Sequence, residues 1–97
     1  MIASFDDRAT EDLFHGRKSK RARRLASGAQ SVALRKLDML NAAQSLKDLN
    51  SPPGNRLEAL RGKLRGYHSI RINDQWRIVL RWISGDAHDV RVTDYHS

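Results

Sequence analysis

The sequence predicts an α+β fold in which an N-terminal strand and helices pack on one face of a twisted antiparallel sheet. Two patterns carry that prediction. Apolar and polar residues alternate from His68 to Trp82 and again from Val90 to Tyr95, the period of half-buried strands. From Ala29 to Leu46 apolar residues recur instead at helical spacing. A sheet with one apolar face and an amphipathic helix bury each other most simply when the helix lies across that face.

Taken in order, Ile2 to Phe5 is a short apolar run ahead of Asp6 and Asp7, and reads as a strand leading into a helix. Asp6 or Asp7 can accept from the first free backbone N–H groups of that helix, which runs through Leu13 and Phe14 and stops at Gly16. Arg17 to Arg24 holds six basic residues in eight and reads first as a solvated linker or helix face. No aromatic side chain interrupts it to stack on a base, so toward nucleic acid it offers general attraction to phosphate. Ser27 and Gln30 stand at capping-box spacing before a long helix expected from about Ala29 to Leu46. Val32, Ala33, Leu37, Met39, Leu40, Ala43 and Leu46 face the sheet; Leu34, Asp38, Asn41 and Ser45 lie opposite. Lys36 points into the apolar stripe, where its stem can follow the core with the ammonium in water.

Pro52 and Pro53 turn the stretch from Asn50 to Asn55 into a loop. If the backbone beyond it is extended, Arg61, Lys63 and Arg65 share one side, which continues as the side of Arg71. Gly62 and Gly66 mark a bend or bulge on the way. In the hairpin that follows, both apolar sets reach one face only if Ile72 opposes Trp76 and Ile70 opposes Ile78, leaving a three-residue loop, Asn73-Asp74-Gln75. Arg71 then opposes Arg77 on the other face, and directly opposed like charges destabilise a sheet unless an anion compensates them. A third strand with Val90 opposite Trp82 and Val92 opposite Leu80 brings Tyr95 beside Arg77. The predicted result is a row of Arg71, Arg77 and Tyr95 on the face away from the core.

Ninety-seven residues, 39% hydrophobic and 30% charged, suit one soluble domain spanning residues 1–97. The net charge of +7 points to a polyanionic partner, nucleic acid first and an anionic membrane second. No stretch approaches the roughly 20 apolar residues of a membrane helix, and the opening MIASFDDR lacks the apolar centre of a signal peptide, so a cytoplasmic location is expected. The absence of cysteine removes disulfides, thiol nucleophiles and thiolate zinc sites. The histidines at 15, 68, 88 and 96 have no ligand spacing, so no metal or other cofactor is expected.

The stretches SPPGNRLEALRG, HSIRINDQWRI and VTDYH, in that order, resemble the HigB toxins of bacterial type II toxin-antitoxin systems, within the RelE/ParE superfamily. The resemblance covers roughly residues 32–96. It implies a RelE-like fold and a ribosome-dependent messenger-RNA endonuclease acting in the ribosomal A site. It also implies neutralisation by a helix-turn-helix antitoxin of the HigA kind, with a toxin that is monomeric alone and oligomeric with its antitoxin. Carried over by motif, the site residues are Arg71, Asn73, Arg77, Asp94, Tyr95 and His96, and the basic position before SIRIN falls on Lys63 with Arg61 and Arg65 as rivals.

RNA can be cut without metal when its own 2′-hydroxyl attacks the adjacent phosphorus, given a base, an acid and cations for the phosphorane. Arginines clamp phosphate but are poor proton shuttles. Tyr95, with an ordinary pKa of about 10, would be made more acidic by neighbouring arginines, and His96 titrates in the right range unaided. His68 shares the face of Ile70 and reads as a satisfied core histidine, and Asp94 as a group that holds a partner. The plain alternative for Arg71 and Arg77 is salt bridging on an exposed sheet face, weakened here by sparse carboxylates; for Tyr95 it is an edge aromatic packed on the sheet. Two other functions compete: a gyrase-poisoning toxin of the ParE branch, and a basic binding module without catalysis.

Overall fold

The computed structural model of the protein describes residues 1–94. Three helices, α1 (Arg8–Phe14), α2 (Lys20–Arg24) and α3 (Gln30–Ala42), precede four strands, β1 (Glu58–Ala59), β2 (His68–Arg71), β3 (Trp76–Ile83) and β4 (Asp86–Asp94). The strands form one antiparallel sheet in chain order. Leu13 of α1 and Ala33, Leu37 and Leu40 of α3 share a buried cluster with Ile70, Ile72, Ile78, Leu80, Val90 and Val92, so the helices cover the predicted apolar face.

The N-terminal run pairs as expected but only as isolated parallel bridges, Ile2 with Ala87 and Phe5 with Val90. Asp7 then caps α1 by accepting from the Thr10 amide at 2.8 Å, and Gly16, at φ +71°, follows its end. The basic run is helical in part: Ser19 caps α2, and Asp12 of α1 accepts from the Ser19 hydroxyl and lies within 4 Å of Arg17 and Arg21.

Helix α3 is shorter than its apolar period suggests. Asp48 accepts from the Gln44 and Ser45 amides at 2.9 and 3.1 Å, and Ser45 with Asp48 forms a capping box that starts a new 3-10 helix, Leu46–Asn50. The box expected at Ser27 and Gln30 does not form. Gln30 donates instead to the Ala22 and Leu25 carbonyls at the end of α2, tying two helices together.

The β2–β3 pairing follows the alternation: Ile70 opposes Ile78, Arg71 opposes Arg77, and the Ile72 amide donates to the Trp76 carbonyl at 2.9 Å. The β3–β4 register differs from expectation by two residues up to Val79 and by three beyond it, where Ala87 and not Val90 opposes Trp82. Val92 opposes Ile78, not Leu80, and Thr93, not Tyr95, opposes Arg77. The cause is a two-residue turn at Ser84 and Gly85, both at positive φ, which starts β4 at Asp86. A bulge then sets Leu80 against both Asp89 and Val90, with Asp89 at φ +51°, so Ala87 returns to the core face opposite Trp82.

The stretch after the prolines is also not extended. Glu58 and Ala59 pair with Ser69 and His68, and Gly62–Leu64 forms a 3-10 turn with Gly62 and Gly66 at positive φ. The basic side of Arg61, Lys63 and Arg65 is therefore not a straight continuation of the Arg71 side. All three lie exposed on a turn.

Candidate nucleic-acid interface

Strand alternation puts Ser69 and Arg71 of β2, Arg77, Val79 and Arg81 of β3, and Arg91 and Thr93 of β4 on the sheet face away from the helices. That face is not bare. The β1–β2 connection folds over part of it, and Leu60 and Leu64 close an open cleft of about 220 Å³ with Ser69, Arg77, Val79, Arg91, Thr93 and Asp94.

Arg77, expected on an exposed face, is only 4% exposed. Its Nε donates to the Ser69 hydroxyl at 2.8 Å and its Nη2 to the Arg56 carbonyl at 2.9 Å, while Glu58 lies 3.9 Å from Nη1. Arg56 adopts a left-handed backbone, φ +45°, which turns the chain where that carbonyl meets Arg77. Arg71 is half-buried and is held by Asp74 of the hairpin loop. The opposed arginines are thus compensated from within the protein.

The same holds across the face. Arg81 meets Asp89 at 2.6 Å and lies over the Tyr67 ring, and Arg91 is 3.8 Å from Asp6. Salt bridging, weakened in expectation by sparse carboxylates, does occur at both predicted arginines: Asp74 meets Arg71, and Glu58 reaches Arg77 from β1, while Asp89 and Asp6 serve Arg81 and Arg91. Ion pairs of this kind are broken at modest cost when a phosphate offers a better match to a guanidinium fork.

The hairpin loop is ordered by two predicted site residues. Asn73 Oδ1 accepts from the Gln75 and Trp76 amides at 2.9 and 2.8 Å, and Gln75 donates to Asp94 at 3.0 Å, tying the loop to β4. Asp94 therefore holds a partner, as its position suggested. Tyr95 and His96 lie outside the described residues.

His68 departs from its expected satisfied role: its Nδ1 is buried without a hydrogen-bond partner among the described residues. Lys36 departs too. It is 6% exposed, and its ammonium donates to the Arg71 carbonyl at 2.5 Å. Burial lowers its pKa from the ordinary 10.5, and Arg35, Arg71 and Arg77 lower it further.

Sequence reasoning missed Ser69 and Arg56, which seat Arg77, and Arg91, which shares the cleft. Arg91 was legible, since it alternates with Thr93. Ser69 lay on the same face of the predicted hairpin, diagonal to Arg77, while the Arg56 carbonyl was not legible because it reaches Arg77 only once the segment before β1 has folded over the sheet.

Two arginines paired across adjacent strands, one with its guanidinium seated and one half-open, suit the oxygens of one phosphate or of two successive ones. The family model described as the RelE-like toxin of the type II toxin-antitoxin system HigB matches residues 3–96. The chain is 41% identical to Toxin HigB-1 of Vibrio cholerae serotype O1 over 87 residues, 90% of each chain. It is 35% identical over 74 residues to an uncharacterized protein of Haemophilus influenzae, 76% of this chain and 72% of that one. With the Endoribonuclease HigB of Proteus vulgaris it shares 34% identity over 61 residues, 63% of this chain and 65% of the relative.

Proposed function

The chain belongs to the HigB family of RelE-like toxins from type II toxin-antitoxin systems, and on that premise we propose that it is a ribosome-dependent endoribonuclease that cuts messenger RNA in the A site. The observation that carries this reading is the direct pairing of Arg71 with Arg77 beside a cleft on the open face of the sheet. The name of the Proteus relative supports it.

In the proposed reaction, which needs no metal ion, the 2′-oxygen of a nucleotide forms a bond to the adjacent phosphorus as its proton leaves. The bond from phosphorus to the 5′-oxygen breaks, and that oxygen takes up a proton. Arg77 and Arg71 hold the charge that builds on the phosphorane oxygens. Tyr95 orients or deprotonates the 2′-hydroxyl, and His96 supplies the proton to the leaving oxygen. Asn73 and Asp94 keep the loop and β4 in register beneath them. Arg61, Lys63 and Arg65 attract the polyanion, and a free RNA chain is a poor substrate because this shallow face has few means of forcing in-line geometry without the ribosome.

The partners are then the ribosome, its message and a helix-turn-helix antitoxin. The protein acts as one domain in the cytoplasm, monomeric alone and oligomeric with the antitoxin. Among the described residues no helix is long and apolar enough to cross a membrane.

Mapping message ends in cells expressing wild-type protein or the Arg71→Ala, Arg77→Lys or Tyr95→Phe variants tests the reading. New ends within translated codons, lost in the variants, are expected. Growth arrest with intact messages and accumulating DNA breaks would replace it with the gyrase-poisoning function; RNA binding without cuts would leave a binding module.

A further inference from the structure

Among the described residues, Lys36 and Arg77 are the two buried charged side chains, and they meet the same strand pair from opposite faces of the sheet. Lys36 comes from α3 within the core cluster; Arg77 belongs to the open face. The point they share is Arg71, cross-strand partner of Arg77 and owner of the carbonyl that accepts from Lys36.

That carbonyl needs a partner for a topological reason. Strand β1 pairs only with His68 and Ser69, so the β2 edge beyond Ser69 has no neighbouring strand. Because the Ile72 amide bonds to Trp76 in β3, the alternation of an antiparallel ladder turns the polar groups of Arg71 the other way, toward the vacant edge. Water could satisfy them there without cost. Lys36 does so with its side chain largely withdrawn from water and with three cations, Arg35, Arg71 and Arg77, acting on it. A charged residue whose burial carries a desolvation cost, and which grips the backbone of one half of the arginine pair, has the character of a functional group.

We propose that Lys36 is a positioning residue for RNA cleavage, its ammonium holding the Arg71 backbone at the end of β2 and adding a third positive charge beneath the phosphate site. The inference rests on the nuclease reading. When a phosphate draws the Arg71 side chain away from Asp74, the strand end that carries it remains anchored from the helix side.

Lys36→Met keeps the stem and removes the charge. It is expected to melt no lower than wild type, yet to lose about tenfold or more in single-turnover cleavage on programmed ribosomes with little change in ribosome affinity. The chain contains no cysteine, so a Lys36→Cys variant aminoethylated in denaturant and refolded regains an ammonium at this position alone, and should regain the rate. A rate within about twofold of wild type for Lys36→Met overturns the proposal, as does a lost rate that aminoethylation fails to restore in a refolded protein. If Lys36→Met does not fold, Lys36→Gln, which keeps a donor without the charge, takes its place under the same criteria. Hydrogen exchange separates failure of this inference from failure of the nuclease reading. Should wild-type protein cut no message, faster exchange of the Ile72 and Asn73 amides in the charge-free variant still supports anchoring, and unchanged exchange overturns it.

Discussion

Arg77 Nε donates to the Ser69 hydroxyl at 2.8 Å across the β2–β3 pair, in a bond buried on the face that would otherwise be open to solvent. The guanidinium is therefore seated before any substrate arrives. Arg77→Ala leaves the Ser69 hydroxyl and the Arg56 carbonyl without their donor, so a loss of about 1–3 kcal/mol is expected in urea unfolding. Cleavage should fall roughly a hundredfold or more, and Arg77→Lys should not restore it because an ammonium cannot reproduce the fork.

If Arg71 binds phosphate as proposed, Asp74 competes for it. Its side chain is 94% exposed, so the pair contributes little to stability and is screened by salt. Asp74→Asn should leave the urea midpoint unchanged and tighten binding to ribosomes at low salt, measured by filter binding. Weaker binding would mean that the loop needs the ion pair to hold its shape.

The exposed turn carrying Arg61, Lys63 and Arg65 sits next in the chain to Leu60 and Leu64 of the cleft wall. Replacing two of the three basic residues with Gln should flatten the dependence of ribosome affinity on salt by about 1–2 in log–log slope, with cleavage at saturation retained. An unchanged slope would assign the turn to bulk solvent.

Asp48 gives the fold an acid-sensitive joint. The Gln44 and Ser45 amides hold its carboxyl below the ordinary 3.8, so its contribution is complete above that value and is lost as pH falls through the depressed folded-state pKa. Unfolding titrations of wild type and Asp48→Asn should differ at neutral pH and converge in acid. A gap that persists at the acid end would show that the side chain acts through packing and not through its charge.

What the sequence determined by itself is local and periodic: the α+β class, the Asp7 cap, the β2–β3 hairpin and the opposition of Arg71 to Arg77. Alternation decides which face each side chain takes, and in that hairpin a three-residue loop left one register that matched both apolar faces. The β4 register was beyond the same argument, because a shift of two residues preserves every face, and the choice fell to the Ser84–Gly85 turn and the Asp89 bulge. The end of α3 followed a carboxylate that reaches back to the Gln44 and Ser45 amides, against an apolar period that runs on to Leu46. Only the tertiary structure decided that Arg77 and Lys36 are both buried. Burial depends on what folds over a side chain, and here the chain from Arg56 to Leu64 covers Arg77 while the sheet edge at Arg71 meets Lys36, each distant in the chain from what it covers.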